Sequence, residues 1–232
     1  MIRFLFPGNL QKKQDIEIMG FWTAILSWGR RQTIIDKANL LVSIMDGAPH
    51  DFIINHREQE REKFLGFKHR TFNEVDALYF LHILQWYYRR YDSLEDAFTG
   101  KMTSEDDHIG PGLIGFRELF FSPDVIPQRT RKHVSSPLKG SACKRLNMFL
   151  RWMVRTDDRG VDFGLWKQIR SDQLLIPLDV HVGRVARQLG LLKRKQNDWK
   201  AVLELTTQLK QFDSSDPIRY DFALFGMGLD DE

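Results

Sequence analysis

Apolar side chains recur three and four positions apart along most of the chain, and no stretch alternates apolar with polar residues as a half-buried strand would. That spacing predicts helices and places the chain in an all-α class. Ile16–Trp28 is strongly apolar and holds no proline and no glycine other than Gly20. Thr33–Met45 sets Ile34, Ala38, Leu41 and Ile44 at helical spacing. Phe52–Phe64 is charged and reads as a surface helix, and Asn73–Tyr91 is a longer apolar helix with Asn73 at its N-cap. Pro111–Phe121 is a shorter helix. The stretch from Ser122 to Pro137 holds three prolines and reads as a loop. Lys144–Arg155 carries Leu146, Phe149, Leu150 and Met153 on one face. Val180–Leu189 closes at Gly190, and Asp198–Gln211 and Pro217–Gly228 follow, the last with Asp216 at its N-cap and Pro217 in its first turn. There is no internal repeat.

The chain has 232 residues, enough for one large domain or two small ones and for a substantial core. With 42% hydrophobic and 28% charged residues it is neither disordered nor fibrous. The single cysteine, Cys143, rules out an internal disulfide, an all-cysteine iron–sulfur cluster and a structural zinc site within one chain. The seven histidines are scattered, with no pair at the spacing that puts two ligands on one helical face, so no metal site is expected. No apolar run reaches the ~18 residues of a membrane span, and the opening segment lacks the pattern of a signal peptide. A reducing cytoplasm is the expected compartment.

The net charge is only +3, but it is unevenly distributed. From Ile126 to Thr156 there are eight Lys/Arg residues and no acid, and from Val180 to Asn197 there are five more, again with no acid. The last twenty residues are acidic, with Asp213, Asp216, Asp221, Asp230, Asp231 and Glu232. Two basic segments point to a polyanionic partner, since cations that displace phosphate counterions supply sequence-independent affinity. A solvated basic face is the plainer reading of either run taken alone.

Two short motifs stand out. In Leu138-Lys139-Gly140-Ser141-Ala142-Cys143-Lys144-Arg145 a glycine turn opens into an amphipathic helix, a setting whose free amides and dipole suit a phosphate. In Leu178-Asp179-Val180-His181-Val182-Gly183-Arg184-Val185 an aspartate stands where a helix begins. The second motif resembles the catalytic-aspartate motif of the helix-hairpin-helix DNA glycosylases, the superfamily of endonuclease III and 8-oxoguanine glycosylase. The first is similar to the second half of that family's hairpin, with Lys144 at the position of the nucleophilic lysine of its bifunctional members. Weaker similarities lie at Leu65–Arg70, Gly20–Ala38 and Tyr220–Gly228. There are departures. Ala142 replaces the second hairpin glycine, so a left-handed backbone there would cost ~1 kcal/mol. Lys139 replaces the hairpin proline. Lys144 and Asp179 lie 35 positions apart, an interval filled by an insertion at 157–176 and closer to that of the archaeal 8-oxoguanine glycosylases.

The resemblance implies a single unit of two helical lobes without an iron–sulfur cluster: one lobe of residues 1–35 plus 180–232, the other of residues 36–179 with the hairpin at 130–155. It implies base-excision repair of a damaged base, an oxidised purine or pyrimidine, with abasic-site lyase activity. Asp179 would stabilise positive charge on the sugar, and Lys144 would attack its anomeric carbon. Gly140, Ser141 and Ala142 would offer amides to a phosphate, and Lys139, Arg145 and Arg184 would add charge. Arg30, Arg31 and Gln32 lie where the family carries its DNA wedge, and Trp166, Phe67 and Trp28 are aromatics that could line a base pocket. Duplex DNA is the implied partner, bound at the nucleoid, with no cofactor and no obligate protein partner. Read as residues alone, Asp179 could be only a helix cap, Lys144 only a phosphate contact and His181 only structural. Carbonyls of the Gly140 turn could hold a monovalent cation. A thiol nucleophile at Cys143 is disfavoured for want of a histidine partner, although its basic neighbours could lower its pKa. Two rival functions stay open: a DNA-binding protein without catalysis on the same scaffold, and a helical protein-interaction domain.

Overall fold

The computed structural model describes residues 10–123, 126–157 and 160–230. The opening nine residues, part of the insertion (158–159), and Asp231 and Glu232 of the acidic stretch lie outside them. The chain is mostly helical. Its α-helices are α1 (Lys13–Leu26), α2 (Arg31–Ile44), α3 (Pro49–Asn55), α4 (Glu74–Tyr88), α5 (Glu95–Thr99), α6 (Gly110–Phe120), α7 (Lys144–Val154), α8 (Val180–Gln188), α9 (Trp199–Phe212) and α10 (Asp221–Asp230). Short 3-10 turns join several of them. The one sheet among the described residues pairs β1 (Lys68–His69) with β2 (Phe72–Asn73), antiparallel, with His69 opposite Phe72. No described helix is long and apolar enough to cross a membrane.

The apolar run that defines α1 has no polar face, and the helix is buried from Asp15 to Leu26. It packs against α2, α3 and, most extensively, α7. Gly20 permits the close approach to α7, because a Cβ there would stand 3.0 Å from Met153 Cε and 3.2 Å from Phe149. Aromatic rings extend the contact outward: Phe21 stacks on Phe80, and Phe116, Phe120 and Phe149 meet it edge-on. Buried apolar side chains from α1 to α10 belong to one continuous core.

Glu17 lies fully buried within α1. Its Oε1 accepts from Ser93 Oγ (2.5 Å) and Trp166 Nε1 (2.6 Å), and its Oε2 accepts from Tyr88 Oη (3.0 Å) and the Leu94 amide (3.2 Å). A buried carboxylate is tolerated only when its lone pairs are met in this way. The four donors come from α4, the turn after it and the insertion, so one side chain fixes three segments to the central helix.

Three sequence expectations are corrected. The segment 52–64 is not one surface helix: it breaks at His56 into α3 and a 3-10 turn (Glu58–Phe64), and Phe52, Ile53 and Phe64 are buried in the core. The final helix begins as a 3-10 turn at Pro217–Tyr220, and the Asp216 carboxylate does not cap it, because it pairs with Arg155 instead. The small sheet and α5 went unseen, being too short for any periodicity to register.

Removing the Glu17 carboxylate leaves four donors without their acceptor. Glu17→Ala is expected to lower unfolding free energy by about 3 kcal/mol in urea titrations. A loss below about 1 kcal/mol would show that the network does not hold these segments.

Candidate functional site

The turn before α7 has two residues with left-handed backbone, Gly140 (φ +71°) and Cys143 (φ +49°). Ala142 is not among the residues with positive φ, so the strain expected there falls on Cys143, at ~1 kcal/mol. The Ser141 hydroxyl accepts from the Cys143 amide (3.2 Å), and the Gly140 carbonyl accepts from the Trp199 amide (3.0 Å), which ties the turn to the start of α9. The Gly140 amide donates to Pro137 (2.8 Å). It is therefore committed within the turn, and Ser141 is further tied to Asp198 by an isolated antiparallel bridge, so the turn does not present a row of free amides to a phosphate.

This turn delivers Lys144 as the first residue of α7. Asp179 stands at the N-cap of α8 with extended backbone, and its Oδ1 accepts from the Val182 amide (2.9 Å). Its other carboxylate oxygen, Oδ2, lies 3.0 Å from Lys144 Nζ. Asn197 Nδ2 donates to the Asp179 carbonyl (2.9 Å) and holds the cap from the α9 side. Two helix N-termini remote in sequence thus meet through one ion pair. The lysine side chain is 36% exposed and the aspartate 12%, so the pair sits at the edge of solvent, where such a contact adds only ~0–1 kcal/mol of stability.

Beside the pair opens a cleft of about 630 Å³, lined by Ser27, Trp28, Thr71, Lys132, His133, Ser135, Asn197 and the turn from Ser141 to Arg145. Trp28 forms one wall. Its ring carries the Arg145 guanidinium at 4.9 Å and lies near-parallel to His133 at 6.0 Å, while Arg145 also donates to the Ile25 carbonyl (2.8 Å). Below His133 lies the buried Asp76 carboxylate, which accepts from Thr130 Oγ1 (2.7 Å) and the Asn73 amide (2.9 Å), with His133 Nε2 at 3.2 Å. Burial pushes the His133 pKa down to about 4 despite the attraction of Asp76.

The remaining expected site residues divide. Lys139 is exposed beside the turn. Arg30 and Arg31 are exposed at the start of α2, where Gln32 donates to Asp36 (2.8 Å). Arg184 turns toward the chain's last helix and donates to the Gly228 carbonyl (2.5 Å), and His181 Nδ1 lies 3.2 Å from that same carbonyl. Trp166 is not a pocket residue: it is buried in the core between Phe98 and Phe149, with its indole N–H on Glu17. Phe67 is likewise buried, packed edge-on against Phe72, and does not line the cleft. Only Trp28 of the three aromatics borders the cleft. Cys143 is buried, and burial pushes its thiol pKa up, the reverse of the effect expected from its basic neighbours.

The basic run at 126–156 is not one surface stripe. Lys132 and Lys139 are exposed, but Arg151 is buried and pairs with Asp162 (3.4 Å) and Asp221, and Arg155 pairs with Asp162 (2.5 Å) and Asp216 (2.7 Å). These internal pairs, and the support from Asn197 and His133, were missed in the sequence. Arg151 falls on the face of α7 opposite its apolar stripe, and nothing local marks that face as covered.

The arrangement is a half-exposed amine against a capping carboxylate, at the lip of a basic cleft in a helical protein. The chain belongs to the family described as protein of unknown function (DUF2400), which matches residues 4–230. No curated protein and no solved structure matches it.

Two predictions follow from this geometry. Asparagine caps helices as well as aspartate does, so Asp179→Asn should stay within about 0.5 kcal/mol of wild type in urea unfolding, while Asp179→Ala should lose about 1 kcal/mol. Equal losses in both would mean the ion pair, rather than the cap, carries the stability. For His133, the imidazole is neutral in the folded state but protonates near pH 6.5 once unfolded, so the unfolded state gains protons as pH falls. Stability should be level above about pH 6.5 and decline between there and about pH 4, by as much as ~3 kcal/mol from this residue. His133→Gln should flatten that decline, and an unchanged slope would contradict the assignment.

Proposed function

We propose that this chain is a DNA glycosylase with abasic-site lyase activity, built on a two-lobed helix-hairpin-helix scaffold. The observation that carries the reading is the 3.0 Å contact between Lys144 Nζ and Asp179 Oδ2, made by two residues 35 positions apart at the lip of a basic cleft. Those are the two positions at which the motifs resemble the superfamily's nucleophile and its carboxylate.

In this reading a damaged nucleotide leaves the stack and enters the cleft, at a cost of a few kcal/mol. The amine of Lys144, freed of its proton, forms a bond to the sugar's anomeric carbon as the N-glycosidic bond breaks and the base departs with the bonding electrons. The ionised Asp179 carboxylate stabilises the positive charge that develops on the sugar. The nitrogen then expels the ring oxygen from that carbon, which opens the sugar to a Schiff base, and loss of a proton from the neighbouring carbon expels the 3′ phosphate. The exposed Lys132 and Lys139 supply phosphate contacts, and Arg145, clasped on Trp28, narrows the cleft toward a planar base. Breaking the ion pair is cheap at this exposure, so substrate can displace Asp179 from the amine without a large penalty.

Borohydride reduction on a duplex with one abasic site tests the reading. Wild-type protein is expected to become covalently trapped, and Lys144→Ala is expected to lose trapping by at least ~100-fold while binding the duplex. Wild-type protein that binds the duplex with strong salt dependence and never traps would leave the non-catalytic DNA-binding alternative in its place.

A further inference from the structure

The two ends of α4 have different surroundings. Its start supports the cleft through Asp76, which lies beneath His133. Its other end carries a separate hollow of about 430 Å³, lined by His82, Gln85, Trp86, Arg89 and Arg90. Gln85, Trp86 and Arg89 follow His82 by three, four and seven positions, which sets all four on one helical face. At ~1.5 Å of rise per residue, Asp76 and Arg89 stand ~20 Å apart along the helix, so the hollow and the cleft are distinct. No acid lines the hollow. Arg89 Nη2 donates to the Ile54 carbonyl (3.0 Å), and Arg90 Nη1 donates to the Trp86 carbonyl (2.7 Å). A third guanidinium arrives from the 3-10 turn after α3. Arg61 Nε donates to Nε2 of the buried His56 (3.2 Å), whose Nδ1 meets the Phe52 and Ile53 carbonyls (3.1 and 3.0 Å). The buried Gln85 links the two sides, its Nε2 lying 3.3 Å from both the Ile54 carbonyl and His56 Nδ1. Among the described residues, Arg61, Arg89 and Arg90 have no carboxylate partner.

Cations at the end of a helix offset its dipole, which accounts for Arg89 and Arg90. It does not account for Arg61, which comes from another segment and is fixed there by a buried imidazole. Three guanidiniums around one hollow repel one another, and an anion among them removes that repulsion. We propose that this hollow is a nucleotide site, which takes the phosphate ester of its ligand on Arg61 and Arg89. Guanidinium forks suit phosphate oxygens because each offers paired N–H donors in one plane. Burial lowers the His82 pKa and the charge of Arg61 lowers it further, so its imidazole is a neutral hydrogen-bonding group at the rim. The volume exceeds that of a phosphate and falls within the range of small-ligand sites. The remainder of the ligand meets Trp86, whose ring carries the Arg90 guanidinium carbon at 4.7 Å. That pair offers a flat, cationic surface on which a base can stack. A free nucleotide and one residue of a nucleic-acid strand present the same phosphate ester and planar base. The proposal does not rest on the role given to Lys144.

Fluorine NMR of the full chain labelled with 5-fluorotryptophan tests the proposal, with the Trp86 resonance assigned by its loss in Trp86→Phe. The probes are adenosine 5′-monophosphate, a short single-stranded oligodeoxyadenylate and inorganic phosphate. The Trp86 resonance is expected to shift in a saturable way with a nucleotide probe. A shift with adenosine 5′-monophosphate assigns the site to a free nucleotide, and a shift with the oligonucleotide alone assigns it to a strand. The double variant Arg61→Gln, Arg89→Gln should weaken that response at least ~10-fold, while Lys144→Ala, at the cleft, should leave it unchanged. A response of equal affinity in the double variant overturns the proposal. Inorganic phosphate that binds as tightly as either nucleotide probe overturns the nucleotide assignment, because the base would then add nothing. A wild-type Trp86 resonance that no probe moves at about 1 mM overturns the proposal outright, needs no variant to fold, and leaves the reading of Lys144 standing.

Discussion

Covered cations have to be met by carboxylates, and α7 carries the buried Arg151, with Arg155 just past its end and the half-exposed Lys144 at its start. Its other face is apolar and is pressed onto α1 at Gly20, so the helix has no freedom to turn its charges to water. The partners must therefore come to it. Asp162 brings in the insertion, Asp216 and Asp221 bring in the chain's last helix, and Asp179 brings in α8. The cleft and the Lys144–Asp179 pair are the solvent end of this row. Truncating an interior member would strand a buried charge, whereas the end pair is exposed enough to open. That gradient along one helix is what the role proposed for Lys144 requires: rigid support behind, an exchangeable partner in front.

Much of this was legible in the residues. α7, α8 and α9 were visible because each sets an apolar stripe against a polar face, and α1 was visible as an apolar run without proline. Asp179 and Asp198 both cap as an aspartate before an apolar run should, each accepting from the amide three residues on. Lys144 and Asp179 were singled out by local motifs, but their meeting was not legible, because contact across 35 positions is set by tertiary packing that no local pattern records.

What escaped was settled by tertiary context. Trp166 looked like a pocket aromatic, but its indole N–H is what the buried Glu17 needs. Phe67 lies behind Phe72, which itself packs behind the cleft-lining His133. The run of basic residues read as one surface, whereas it crosses from solvent at Lys132 and Lys139 to the interior at Arg151, where its neutralising acids arrive from distant segments. Asp216 stood in a capping position, and a bidentate claim from Arg155 on its carboxylate outweighed the cap. The differences at Trp166, Arg151 and Asp216 share one cause: a local propensity worth ~1 kcal/mol gives way to a buried charge that costs several to leave unpaired.

The account stands on where the reactive amine is. Proteolysis of the reduced protein–DNA adduct, followed by mass spectrometry of the peptides, locates it directly. The account predicts that the sugar fragment is carried on the Lys144 side chain alone. A fragment on Lys132 or Lys139, which are the exposed lysines at the same cleft and turn, would contradict it.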